Sequence, residues 1–287
     1  MISTLEKEIT FRFLKARKKD GFLNVISIFS FIGISLGVAV LIIVMSVMNG
    51  FRTELINKII GFNSHVTVKP YSNSIDEGKI NNKLKSISKN IIFSNSGEAI
   101  ILKNNSTKGI VLRGYKRNDL LNLEVLTNEK FKGKLNQFDK NSISIGSELS
   151  FSLDLEIGDE LTLMSPSGVQ TIIGSMPKQK TFVVNSIFNS GLAEFDNNIA
   201  FIELNTLEEF FGYNPEERNL EIYLKNPNNI ESQKLIVKKV FDEEFVFSWA
   251  DMNSSLFSAL KVERNVMFII LSLIIICLLY TSPSPRD

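Results

Sequence analysis

From Val25 to Met48 the chain runs for 24 residues without a charge, interrupted only by Ser27, Ser30, Ser35, Ser46, Gly33 and Gly37. As a helix this run rises roughly 36 Å, enough to cross a hydrocarbon core of about 30 Å with some tilt. It is too long for the apolar region of a signal peptide, and Val47-Met48-Asn49-Gly50 is a poor small-residue cleavage site. The run therefore predicts a transmembrane helix over residues 22–50 that stays in the membrane.

The flanks set its direction. Lys7, Arg12, Lys15, Arg17, Lys18 and Lys19 precede it, whereas only Arg52 and Lys58 follow closely. By the positive-inside rule the N-terminus is expected in the cytoplasm. Within residues 1–21, Leu5, Ile9, Phe13 and Ala16 share one helical face, as in an amphipathic helix on the inner leaflet; a solvated basic leader is the other reading. Gly33 and Gly37 form a GxxxG pair, with Ser30 three residues earlier on the same face. Such a stripe lets a second helix approach closely, although small residues also recur by chance in apolar segments.

A second apolar block, Val266 to Tyr280, is followed by Thr281-Ser282-Pro283-Ser284-Pro285-Arg286-Asp287. Fifteen residues rise only about 22 Å, short of a full span, and the prolines forbid an orderly continuation of the helix. Residues 266–280 are thus expected to be the start of a truncated second membrane helix. Residues 281–287 are expected to be a non-native tail.

The segment 51–253 reads as a folded extracytoplasmic domain, joined to the second block by a stalk helix over 254–265. Alternating stretches at 64–69, 109–114, 142–146, 160–164, 181–188, 198–203 and 220–224 predict strands. Ser147–Leu153, Thr206–Phe211 capped by Asn205, and Ile230–Phe241 with an apolar face of Ile230, Leu235, Val237 and Val240 predict helices. The Asn/Ser/Lys-rich stretch 72–108 predicts loops around one helix near 79–91. The fold class is α+β: transmembrane helices flanking a large mixed α/β domain.

The chemistry of catalysis is missing. There is one histidine and one cysteine, Cys277, and the net charge is +1. That excludes disulfides, most metal constellations and a basic nucleic-acid surface. Neither a Gly-x-Ser-x-Gly elbow nor a Walker A loop occurs. His65 is expected on a strand surface, the pairs Glu208-Glu209, Glu216-Glu217 and Glu243-Glu244 on solvated faces, and Trp249 in the core or at a membrane interface. No enzyme activity and no cofactor is expected.

The stretch FRFLKARKKDGFLNVISIFSFIGISLGVAVLIIVMSVMNGFRTELINKIIGFNSHVTV resembles the LolC/LolE permeases, membrane subunits of the ABC transporter that releases lipoproteins from the bacterial inner membrane. IVLRGY, IGSELSFSLDLEIGDELTLMSP, VVNSIFNSGLAEFDNNIAFIEL and FSALKVERNVMFIILSLII follow in the family's order. The resemblance implies a multi-pass inner-membrane protein with a large periplasmic MacB-like domain. It also implies a separate LolD-like ATPase dimer, a second LolC/LolE-type permease, lipoproteins as cargo and a LolA-like periplasmic carrier, with membrane lipid around the helices. In the LolC branch a periplasmic β-hairpin, the hook, engages the carrier. Its counterpart here is 165–180, with Ile172, Ile173, Gly174, Met176, Pro177, Gln179 and Lys180 as candidate contacts. Ser30, Gly33 and Gly37 would face the partner permease. An FtsX-like signalling permease and a MacB-like efflux permease share the layout. A MacB-like protein carries its own ATPase domain before the first helix, where only about 20 residues stand here.

Overall fold

The computed structural model describes residues 5, 6, 8, 9, 21–71, 74–103, 106–135, 138–166, 169–171, 174–227 and 230–281. They form two compact units, one from the chain ends (through Leu55 and from Ser255) and one from Ile56 to Ser254.

In the first unit the uncharged run is helical, within α1 (Gly21–Phe62), whose last residues belong to the second unit. Among the described residues, α1 is long and apolar enough by length and composition to cross a membrane. The helix continues past Gly50, since Arg52-Thr53-Glu54-Leu55 contains no breaker. The second apolar block is also helical, from Ser254 to Thr281. Most of the basic leader lies outside the described residues; Leu5, Glu6, Glu8 and Ile9 are helical.

Among the described residues the second unit carries twelve strands: β1 (Val66–Lys69), β2 (Ser88–Lys103), β3 (Ser106–Tyr115), β4 (Lys132–Gly133), β5 (Ser142–Gly146), β6 (Glu160–Met164), β7 (Val169–Thr171), β8 (Gly174–Met176), β9 (Gln179–Phe188), β10 (Ile199–Glu203), β11 (Asn219–Leu224) and β12 (Phe245–Ser248). The main sheet runs β12-β1-β11-β2-β3-β10-β5-β9-β4, and β6 bridges β2 and β9. That bridge closes a ring, β2-β3-β10-β5-β9-β6, into a small barrel.

Every wall strand offers two buried side chains at alternate positions: Ala99 and Ile101, Ile110 and Leu112, Ala200 and Ile202, Ile143 and Ile145, Phe182 and Val184, Leu161 and Leu163. Period-two alternation turns all of them to one side, and in a barrel this narrow they fill the interior. Helices α2 (Ser147–Leu153) and α4 (Leu204–Phe211) add Leu149, Leu207 and Phe210 to the same core, and α3 (Ala193–Asn198) lies between them in the chain. The seat of α4 requires glycine twice. A Cβ on Gly97 would lie 2.7 Å from the Phe211 ring, and one on Gly114 would lie 2.9 Å from Leu207 Cβ.

Two further cores flank the barrel. Phe62, Tyr115, Phe138, Phe188 and Phe201 form one. Val66, Val68, Leu220 and Ile222 form the other, with Val237 of α5 (Ile230–Val240) and Phe241.

Five local expectations are corrected. Residues 72–108 hold the longest strand, β2, not mainly loops. Its register with β3 runs unbroken from Ser94↔Tyr115 to Lys103↔Ser106, so pairing outweighs the poor intrinsic preference of its Asn, Ser and Gly residues. Glu203, not Asn205, caps α4, its carboxylate accepting from Thr206 N at 3.1 Å. Leu235 points outward from α5, which buries only Val237 fully. His65 is buried, and so is Glu208, because Arg218 meets it with two hydrogen bonds of 2.6 and 2.7 Å. Trp249 is buried, one of the two settings expected for it.

Candidate functional site

Strands β6 and β9 pair from Glu160↔Val183 up to Met164↔Gln179, and one more bond, Ser165 N to Lys178 O at 2.8 Å, closes the neck. Beyond it β7 and β8 form a separate two-stranded hairpin, paired Val169↔Met176, Gln170↔Ser175 and Thr171↔Gly174. Between the two ladders three residues stand on the ascending arm against Pro177 alone on the descending arm. Proline cannot donate to a ladder, which accounts for the break between barrel wall and hairpin.

The expected contact residues therefore divide. Gly174 and Met176 lie on β8, and Met176 is 61% exposed, an apolar side chain in solvent. Pro177 is exposed at the neck. Gln179 and Lys180 belong to the barrel wall, opposite Met164 and Leu163, and Lys180 Nζ stands 5.3 Å from the Phe182 ring centroid. Lys178 donates to Glu209 O, tying the neck to α4. Ile172 and Ile173 lie outside the described residues.

Ser30, Gly33 and Gly37 all lie on α1. A Cβ placed on Gly33 or Gly37 meets nothing within 4 Å, and Phe31, Leu36, Val40 and Ile43 around them are exposed. Among the described residues, nothing occupies the space beside the two glycines.

A third cluster, not singled out in the sequence, anchors the end of α1 within the second unit. Phe62 stacks on Phe195 at 4.5 Å, and Arg113 lies 5.1 Å from the Phe62 ring while donating to Asn63 Oδ1 at 2.8 Å. Lys58 Nζ donates to Gly191 O at 3.4 Å. Beside it Tyr115, Tyr223 and Ser94 converge on the Glu221 carboxylate at 2.6–3.1 Å. Burial pushes both phenols well above the usual tyrosine range, so they stay neutral donors. His65 Nδ1 accepts from Leu224 N at 2.7 Å, and burial lowers the imidazole pKa against an opposing hydrogen bond with the Ile60 backbone. The alternation Glu221/Tyr223 on one face of β11 was the available signal.

A cavity of about 260 Å³ opens beside this cluster, lined by His65, Tyr223, Asn90 and the ion-paired Lys89 and Glu124. Its imidazole is committed to backbone, so no free base faces a nucleophile. No group of three or more metal-binding side chains occurs among the described residues. What the geometry offers is a self-paired hairpin beyond the β6–β9 ladder and, among the described residues, open space beside Gly33 and Gly37.

Residues 27–235 match the family described as the MacB-like periplasmic core domain. The chain belongs to that family. Within it, the resemblance to LolC/LolE permeases is borne out by curated relatives. The lipoprotein-releasing system transmembrane protein LolC of Neisseria meningitidis serogroup B is 29% identical over 95% of this chain and 67% of its own length. LolC of Xylella fastidiosa (strain Temecula1) is 26% identical over 96% and 68%. LolE of Haemophilus influenzae is 24% identical over 93% and 66%. The chain thus spans about two thirds of the length of these relatives. Among solved structures, the periplasmic region of MacB from Actinobacillus actinomycetemcomitans aligns over 68% of this chain and 94% of that one, with TM-score 0.40 and 12% identity. A mixed α/β domain of MacB-like type accompanied by an N-terminal apolar helix is the layout expected from the sequence.

Proposed function

We propose that the chain is a permease subunit of an ABC transporter that extracts lipoproteins from the bacterial inner membrane and passes them to a periplasmic carrier. One observation carries the reading: similarity to proteins named LolC extends over 95% of the chain, taking in the apolar helix and the barrel domain alike. The N-terminus is cytoplasmic, the barrel domain periplasmic, and the protein multi-pass. ATP is hydrolysed by a separate LolD-like subunit, and a second LolC/LolE-type permease packs on the Ser30/Gly33/Gly37 stripe.

The hairpin β7–β8 is the carrier-docking element, with Gly174, Met176 and Pro177 as contacts. The physical task is to keep acyl chains covered. Each CH₂ exposed to water costs about 0.8 kcal/mol, so three bare chains would cost tens of kcal/mol. An apolar side chain such as Met176 at the hairpin suits a carrier whose own acyl-binding surface is apolar.

The test is co-reconstitution of the chain with a LolD-like ATPase and a second permease in vesicles carrying an acylated lipoprotein. ATP-dependent appearance of the lipoprotein on a soluble LolA-like carrier is the expected result. ATP turnover without transfer would favour an FtsX-like signalling role, and export of a peptide substrate would favour a MacB-like one.

A further inference from the structure

Within the first unit, α1 and the helix Ser254–Thr281 (α6) enclose a crevice lined by Met45, Met48 and Arg52 on one side and Glu263, Arg264 and Met267 on the other. Arg52 stands just after the uncharged run that ends at Met48, and Arg264 just before the apolar block that begins at Val266. Both guanidiniums thus mark the polar end of an apolar segment, and they share one crevice.

Neither has a hydrogen-bond or ion-pair partner among the described residues, and Glu263 stands beyond ion-pair distance of both. Arg52 is half-buried, whereas Arg264 is exposed. A guanidinium that gives up water without a counter-charge is unfavourable, and its planar fork matches the oxygens of a phosphate. Two arginines against one glutamate leave the lining one positive charge in excess, the complement of a phosphodiester monoanion. The remaining wall is Asn49, Leu260 and three methionines, whose unbranched, polarizable side chains adapt to an alkyl chain. Val47, Phe51 and Phe268 nearby are exposed and apolar. A soluble phosphate would satisfy the arginines and leave the methionines uncovered, whereas a lipid covers both.

We propose that Arg52 and Arg264 clamp the headgroup phosphodiester of an anionic phospholipid, with Met45, Met48 and Met267 against the start of an acyl chain. The proposal rests on the reading that both apolar helices lie in the membrane.

The test uses the full chain in nanodiscs of phosphatidylcholine doped with phosphatidylglycerol, with retained lipid identified by native mass spectrometry. The wild type should retain phosphatidylglycerol in preference to phosphatidylcholine. Arg52→Gln and Arg264→Gln should each weaken that preference about five-fold, the worth of one basic side chain at an anionic surface. The double variant should abolish it, and Glu263→Gln should keep it. Equal retention by the double variant overturns the proposal. So does loss of the preference in Glu263→Gln, which would mean that the arginines serve Glu263. Displacement of the lipid by soluble glycerol phosphate at comparable concentration would assign the site to a free anion and likewise refute it. A chain that does not enter the disc refutes the membrane reading itself, an outcome distinct from all of these.

Discussion

Excising the hairpin is expected to separate the carrier docking proposed for it from the folding of the domain. Ser165 and Lys178 face each other as a hydrogen-bonded pair, so Pro166–Pro177, twelve residues, can be replaced by Asn-Gly, whose backbone preference suits a two-residue turn. The three residue pairs of β7 and β8 form their own sheet, so their loss leaves the β6–β9 ladder intact. Pro166 is exposed and gives up little burial. Shortening the loop from twelve residues to two lowers the closure entropy by (3/2)RT ln n, about 1.5 kcal/mol in favour of the folded state. For a domain of this size that raises Tm by about 3–6 °C. The assay is thermal and urea unfolding of residues 56–254, followed by the fluorescence of Trp249, the single and buried tryptophan. Pull-down of a LolA-like carrier on the same two proteins completes it. Binding should be lost while stability is kept or raised. A stability loss beyond about 2 kcal/mol would show that the hairpin packs on the domain, and undiminished binding would remove it as the carrier site.

Three further outcomes are expected. Gly33→Ile or Gly37→Ile should leave the chain's own fold unchanged, because the new side chain meets nothing within 4 Å at its Cβ, yet weaken co-purification of the second permease. Glu208→Ala should destabilise the domain by about 3 kcal/mol in urea titration, since it leaves Arg218, whose side chain is only 20% exposed, without a counter-charge and with a 3.3 Å bond to Asn205 Oδ1. The lowered pKa of His65 makes the unfolded chain the better proton binder. Its contribution to stability is therefore full above about pH 6.5 and declines as pH falls towards the folded pKa, at up to about 1.4 kcal/mol per pH unit. Because His65 is the sole histidine, replacing it by Gln should remove the decline that begins below about pH 6.5.

The strands that alternate cleanly, such as Ser142–Gly146 and Glu160–Met164, were legible in the sequence because their burial depends on local pattern alone. β2 was not. Its middle, Ser94-Asn95-Ser96-Gly97, has the composition of a loop, and its extension is stabilised by β11, β3 and β6, none adjacent to that stretch except β3. Barrel closure was hidden for the same reason, since it is a pairing between β6 and β2 across sixty residues. His65 and Glu208 were misplaced because partners distant in sequence, Leu224 N and Arg218, decide whether a polar group can be buried. The hairpin was legible in its place between β6 and β9 but not in its limits, since Gln179 and Lys180 belong to the wall, nor in its division into a self-paired tip and a neck. That division depends on the three-against-one count around Pro177.

Closure of the ring has a mechanical side. A hairpin at the open edge of a sheet yields to a pull at its tip like a zipper, one cross-strand bond at a time. Here β6 is held by β2 on one side and β9 on the other, while β9 is also held by β5. A load applied at β7–β8 enters two strands that are each gripped on both flanks, and it spreads around the whole hoop. If a carrier departs with the hairpin in its grasp, as proposed above, it therefore tugs on the barrel as one body rather than peeling a strand from it.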